Sequence, residues 1–187
     1  MLVLASRSPR RQDILRSAGI PFVVRPADVD ETPLPGEAAE DLVRRLARAK
    51  ARAIEPADGE VVLGADTAVV AQGETLAKPE NADDARRMWR LLAGHDCTTI
   101  TGICLRDQQR EMVDLAASQL RFVRLSEHEI DTYIASQEWQ DKAGAYAIQG
   151  LASKFVERIS PDFFNIMGLP VALVYKHLRA WPGFAVP

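Results

Sequence analysis

Apolar and polar positions alternate along this chain in two rhythms, and their order predicts the elements. An apolar run from Met1 to Ala5 reads as a strand. Ser8 follows at an N-cap position, Pro9 at the first helical position, and Arg11, Ile14, Leu15 and Ala18 recur at helical spacing before Gly19 ends the segment. Phe22-Val23-Val24 reads as a second strand, residues 28–37 as a polar loop and residues 38–54 as a long helix. Residues 61–71 form a strand closed by a tight Gln72-Gly73-Glu74 turn, and Asn81 caps a helix ending near Leu92. Residues 98–105 and 112–123 make a hairpin around 106–110, Ser126 with Glu129 forms a capping box for a helix to about Ser136, and residues 169–178 form a final helix. Strands alternating with helices, then a β-rich middle, then helices, describe an α/β fold with a mixed sheet and flanking helices.

Composition narrows this picture. A chain of 187 residues, 47% hydrophobic and 26% charged, buries a proper core as one domain spanning residues 1–187. A net charge of −3 argues against a nucleic-acid partner, so Arg7, Arg10 and Arg11 are a local cluster. Cys97 and Cys104 stand seven apart without a CxxC pattern, and are expected as small buried thiols in a reducing compartment. The chain starts directly on a strand, with no charged leader and no apolar run near the ~18 residues of a membrane span, so a cytoplasmic protein without a membrane partner is expected. The tail Trp181–Pro187 is apolar enough to pack on the domain or a partner, or to fray.

The first junction carries the strongest chemistry. A helix N-terminus emerging from a strand presents unpaired N–H groups to an anion, and the Ser6 and Ser8 hydroxyls with the Arg10 and Arg11 guanidiniums add charge-assisted donors. The plainer reading is a capped helix with two solvated arginines. Lys50 falls in line with Val43, Leu46 and Ala53 on an apolar stripe, where a lysine either snorkels to water or serves a pocket. Asp66 interrupts an apolar strand after Gly64-Ala65, a costly position unless the acid is paired, hydrogen-bonded or metal-bound. Glu31, beside Asp30, could offer a second carboxylate to a hard cation, although local sequence favours a solvated loop acid. Lys78 before Pro79 either faces a phosphate or ends a strand in water. The Gly-punctuated stretch 141–150 suits close backbone approach to a ligand or to a neighbouring element. His95, His128 and His177 lack ligand spacing, and no Walker A or GxGxxG pattern is present. A serine/arginine cradle, two lysines and two acids together suit a polyphosphate carried with a divalent cation.

These residues also carry a resemblance. Leu4-Ala5-Ser6-x-Ser8-Pro9-Arg10-Arg11, Asp30-Glu31-Thr32, Arg45-Leu46-Ala47-x-x-Lys50-Ala51, Gly64-Ala65-Asp66-Thr67, Lys78-Pro79, Asp141-Lys142-Ala143-Gly144-x-Tyr146-x-Ile148-Gln149-Gly150 and Gly168-Leu169-Pro170 occur in this order. Together they resemble the Maf family of nucleoside triphosphate pyrophosphatases over nearly the whole chain. The resemblance implies a fold similar to inosine-triphosphate pyrophosphatases, a mixed twisted sheet with two lobes around a cleft. It implies hydrolysis of a nucleoside triphosphate to monophosphate and pyrophosphate with Mg2+ or Mn2+, and a homodimer. It makes Asp66 the proton acceptor, Ser6, Arg11, Glu31, Lys50 and Lys78 phosphate or metal contacts, and leaves open whether Asp66 binds metal, deprotonates water or does both.

Within that family, Arg10, Thr67 and Gln149 resemble the dTTP/UTP group, where the 7-methyl-GTP group has Trp, Gln and Glu. A glutamine amide both accepts and donates, as the N3–H and O4 edge of uracil or thymine requires, whereas a glutamate only accepts. The loop Val29–Pro33 is closer to the 7-methyl-GTP group, which is the alternative assignment. Two other classes compete: a non-catalytic nucleotide-binding regulator of cell division, which has no need of Asp66, and a nucleic-acid binder, which the acidic balance disfavours.

Overall fold

The structure is a computed structural model that describes residues 1–185. Seven strands form one mixed sheet: β1 (Leu2–Leu4), β2 (Phe22–Val24), β3 (Val61–Ala71), β4 (Glu74–Leu76), β5 (Asp96–Arg106), β6 (Glu111–Phe122) and β7 (Val156–Ser160). Their order is β2-β1-β3-β5-β6-β7, with β4 paired to β3. β1 runs parallel to both β2 and β3, and every later pairing is antiparallel. The helices are α1 (Pro9–Ser17), α2 (Ala39–Arg52), α3 (Ala82–Leu92), α4 (Glu127–Ala135), α5 (Phe163–Ile166) and α6 (Val171–Arg179). The expected mixed α/β architecture is therefore present.

β3 organises the molecule. On one side it pairs with β5 from Val62 opposite Arg106 to Ala71 opposite Cys97, all but its first residue. On its other side Val61–Leu63 pair with β1 and Val69–Ala71 with β4, so the stretch 64–68 lies in a gap between two partner strands. The first turn of α1 follows β1 beside that gap.

Successive β3 side chains alternate between faces. Leu63, Ala65 and Val69 enter the large core with Ile14 and Leu15 of α1, Trp89 of α3, Tyr133 of α4 and Leu178 of α6. Trp89 is its centre, packed edge-on against Phe122, Tyr133 and Phe155 at 4.8–5.7 Å. Val62 and Ala68 face the opposite way, against α2. The α2 stripe Leu42, Val43, Leu46, Ala47, Lys50 and Ala51 is buried there. The helix lies unusually low on the sheet, because a methyl group on Gly64 would land on the Ala47 carbonyl and one on Gly102 on the Val43 carbonyl.

The differences from the sequence reading are local. Glu74 begins β4 and is not part of the turn, because Glu74–Leu76 pair back onto Val69–Ala71. The final helix starts at Val171, since Gly168-Leu169-Pro170 make the turn before it. β7 and α5 carry no strong periodicity: β7 is an edge strand with exposed residues, and α5 is a single turn capped by Asp162. Asn81, Ser126 and Ser8 cap their helices as expected. Cys97 and Cys104 are free and buried, and burial pushes both thiols up to about 12. In the tail, Trp181 is buried and donates to Asp107 at 2.9 Å while Phe184 packs on the core; Val186 and Pro187 lie outside the described residues.

Gly102→Ala is expected to lower stability by about 1–3 kcal/mol, because the helix backbone must lift to admit the methyl. Urea denaturation monitored by circular dichroism measures it, and an unchanged midpoint would show that α2 sits higher than described.

Candidate active site

The open stretch of β3 displays Asp66 on the α2 face and Thr67 on the other. Each is the end of a distinct polar network.

On the α2 face, Asp66 sits cross-strand from Gly102, where α2 comes down onto the sheet at Val43. Lys50 is buried and places its ammonium 2.6 Å from Asp66 Oδ1 and 2.6 Å from Glu31 Oε1. Lys78, just past β4, holds Glu31 Oε2 at 3.0 Å. The result is a chain of alternating charge, Asp66–Lys50–Glu31–Lys78, crossing the gap between β1 and β4. Lys50 serves a buried site and does not snorkel. Glu31 is not the solvated loop acid that local sequence favours, because two ammoniums from distant elements clamp it; Asp30 stays exposed and accepts from the Thr32 N–H at 2.9 Å. The same loop is anchored further on by the Arg45–Glu37 pair and by Arg45 on the Thr32 carbonyl.

Burial pushes the Glu31 carboxyl up, but Lys50 and Lys78 together outweigh it and hold the group at about 2. Among the described residues no three His, Cys, Asp or Glu side chains form a metal cage. Glu31 and Asp66 are the two acids that converge, on a point now filled by the Lys50 ammonium. Two hard carboxylates with further ligands drawn from a bound phosphate are the donor set suited to magnesium.

On the opposite face, Arg11 is buried and donates from each of its three guanidinium nitrogens. Its Nε donates to the Gly168 carbonyl at 2.8 Å, Nη1 to Ser6 Oγ at 3.2 Å and Nη2 to Thr67 Oγ1 at 3.1 Å. Burial lowers the guanidinium pKa, and the nearby Asp66 charge partly restores it. Thr67 shares a hydrogen bond with its cross-strand neighbour Thr101 at 3.0 Å, Thr101 donates to the Asn165 carbonyl, and the Asn165 amide donates to Thr99 O and Ser118 Oγ. Asn165 Oδ1 is left without a partner in the interior. Arg11 and Ser6 thus lock β1, β3 and the turn before α6 together, and the plain picture of two solvated arginines is wrong for Arg11. Thr101 and Asn165 escaped sequence reading. Two threonines on one face of an apolar strand, Thr99 and Thr101, were the available signal for Thr101; Asn165, in one isolated turn, left none.

Ser8 spends its hydroxyl on the α1 cap, accepting from the Arg11 N–H, and Ser6 Oγ accepts from the Ser8 N–H at 3.2 Å. Arg10 points the other way, half-buried near Tyr146 and Tyr133, with no hydrogen bond or ion pair among the described residues; burial lowers its pKa. Gln149 is exposed on the 141–150 segment. His177 pairs with Asp114 at 2.8 Å, away from this cluster.

The depressed Glu31 carboxyl has a folded pKa near 2 against an ordinary value of 4.5, so its stabilising pairs are complete above about pH 4.5 and are lost as pH falls toward 2. Wild type should exceed Glu31→Gln in stability at pH 6 by up to about 1 kcal/mol, a figure held down by solvent screening of a carboxylate 41% exposed. Denaturant midpoints from pH 6 to pH 2.5 should converge; a gap independent of pH would dissociate Glu31 from the lysines.

Related proteins place this geometry in a family. The Maf-like protein family matches residues 1–181. A protein named dTTP/UTP pyrophosphatase from Anaeromyxobacter dehalogenans (strain 2CP-C) is 48% identical over 100% of this chain and 96% of its own, and one of the same name from Koribacter versatilis (strain Ellin345) is 45% identical over 95% and 93%. Among solved structures, the Staphylococcus aureus Ham1 protein superposes with a TM-score of 0.52 at 14% identity, covering 96% of this chain and 98% of that one, a likeness of fold. With the family's pattern running from β1 through Trp181 and full-length relatives near half identity, the chain belongs to the Maf-like protein family.

Proposed function

We propose that the protein is a nucleoside triphosphate pyrophosphatase that hydrolyses dTTP and UTP to the monophosphate and pyrophosphate, acting as a cytoplasmic homodimer with Mg2+ or Mn2+. The observation that carries this reading is the Asp66–Lys50–Glu31–Lys78 chain across the open stretch of β3, next to the first turn of α1. A pure nucleotide binder gains nothing from a carboxylate buried at the inner end of that chain, as Asp66 is. The names of the relatives from Anaeromyxobacter and Koribacter support the same substrates.

In the reaction a water oxygen bonds to the α-phosphorus, the bond from that phosphorus to the bridging oxygen breaks, and pyrophosphate departs with the electron pair. Asp66 orients the water and accepts its proton. Lys50 and Lys78 exchange part of their hold on the carboxylates for phosphate oxygens and stabilise the charge that grows there. A divalent cation held by Glu31 and Asp66 would supply Lewis-acid polarisation of the phosphate oxygens. The α1 N-terminus adds fixed dipoles. Arg11 works from beneath, keeping Ser6, Thr67 and the Gly168 turn in place. No helix among the described residues is long and apolar enough to cross a membrane.

For substrate choice, Arg10, Thr67 and Gln149 carry the pyrimidine reading. The Gln149 amide, exposed and without a hydrogen-bond partner among the described residues, has the donors and acceptor to pair with the N3–H and O4 edge of the base.

The purified protein with magnesium should convert UTP and dTTP to monophosphate plus pyrophosphate, separated by ion-exchange chromatography, and Asp66→Asn should lose about a hundredfold or more in kcat while still binding nucleotide. Turnover of 7-methyl-GTP alone would reassign the substrate, and intact nucleotide throughout would leave a binding protein. Gln149→Glu is expected to lower kcat/KM for UTP by about a hundredfold or more, since an ionised acceptor would face O4. Equal rates for the two proteins would remove Gln149 from base recognition.

A further inference from the structure

Glu138 lies in the turn after α4, and none of the roles above uses it. The chain reverses there through Gln137, whose backbone is left-handed at φ 62°, and the Glu138 N–H donates to Ser136 Oγ at 3.3 Å. The Glu138 carboxylate is half-buried and forms no ion pair among the described residues. Its Oε2 accepts instead from the Leu151 N–H at 2.8 Å. The same carboxylate takes the space in which residue 150 would carry a side chain, since a methyl group on Gly150 would land on it.

The turn that carries Gln149 is thereby held at both ends. At its entry the Ala147 N–H donates to the Tyr133 hydroxyl at 3.0 Å, and at its exit the Leu151 N–H meets Glu138. Within it the Gly150 N–H donates back to the Ala147 carbonyl at 2.9 Å. Both anchors belong to firm structure: Tyr133 is buried against Trp89, and the Trp139 indole beside Glu138 donates to the Ile134 carbonyl at 2.9 Å. Gln149 alone is left exposed between them. An amide reads a base edge well only when its backbone is fixed beforehand, because an unbraced loop loses affinity to its own ordering. A backbone N–H bound to a carboxylate is a stronger brace than one bound to a neutral acceptor.

We infer that Glu138 is a positioning residue for base recognition, holding the 147–151 turn so that the Gln149 amide meets the pyrimidine edge. This rests on the reading of Gln149 given above and deepens it by naming what fixes that amide. Glu138 touches neither the base nor the phosphates and acts through the Leu151 N–H and the bare Gly150.

Steady-state hydrolysis of UTP by wild type, Glu138→Ala, Glu138→Gln, Gln149→Ala and the Glu138→Ala/Gln149→Ala double variant tests it, with inorganic triphosphate as competitive inhibitor and amide hydrogen exchange at Leu151 followed by NMR. Glu138→Ala should raise KM for UTP about tenfold with kcat within about twofold, leave inhibition by inorganic triphosphate unchanged, and speed exchange at Leu151. Glu138→Gln keeps an acceptor and should largely restore KM. The double variant should lose no more than Gln149→Ala alone, because a brace has nothing to position once the amide is gone. A KM equal to wild type, an equal weakening of inorganic triphosphate, or the full loss repeated on top of Gln149→Ala would overturn the inference. A wild type that turns over neither UTP nor dTTP, with exchange at Leu151 still faster in Glu138→Ala, would sink the proposed activity and leave the brace standing.

Discussion

The contact on which the rest depends is that of α2 with the sheet. Gly64 and Gly102 remove the side-chain layer that normally separates a helix from a sheet, so the backbone carbonyls of Val43 and Ala47 rest almost on the strands. At that height Lys50 cannot reach water, and its ammonium ends against Asp66. Two buried charges are tolerable only together, since removing either partner strands the other in a poorly solvating interior at a cost of several kcal/mol. The second carboxylate on Lys50 comes from Glu31, which draws the loop after β2 over the cleft. A packing distance thus dictates an ion pair, and the ion pair dictates where a loop lies.

The other face of β3 solves a different problem. Arg11 is equally buried but meets no carboxylate; a carbonyl and two hydroxyls take its donors. Its charge is therefore solvated by dipoles, with Asp66 one residue along the strand from Thr67 as the nearby opposite sign. One strand with a two-residue period puts the charge-balanced row and the dipole-lined anchor on opposite faces, coupled only through charge.

How much of this was legible in the sequence follows from how local each cause is. Helix caps and the apolar runs of β1, β3, β5 and β6 depend on neighbours in the chain, and they read correctly; of the α2 stripe Val43, Leu46 and Lys50 are buried, while Ala53 lies exposed past the helix end. Lys50 and Asp66 were visible as charges at apolar positions, a conflict that only a partner resolves. Glu31 was not: a loop acid looks solvated until the lysines at positions 50 and 78 are brought beside it by tertiary structure. Arg11 betrayed itself by falling on the buried stripe of α1, but its partners Thr67 and Gly168 lie 56 and 157 residues further along the chain. β4, β7 and α5 are short, and what stabilises them is the strand or core they join rather than their own composition.

The alternating row Asp66–Lys50–Glu31–Lys78 means that the resting cleft carries its own counter-ions. A bare anion approaching it must pull a lysine from a carboxylate and leave that carboxylate exposed, so it gains little. On the proposed function, a polyphosphate arriving with a divalent cation offers a partner to both signs at once: its oxygens take the ammoniums and its cation takes the carboxylates. Binding becomes an exchange of partners with little net change in charge, and the cleft rejects ordinary cellular anions without any wall to keep them out.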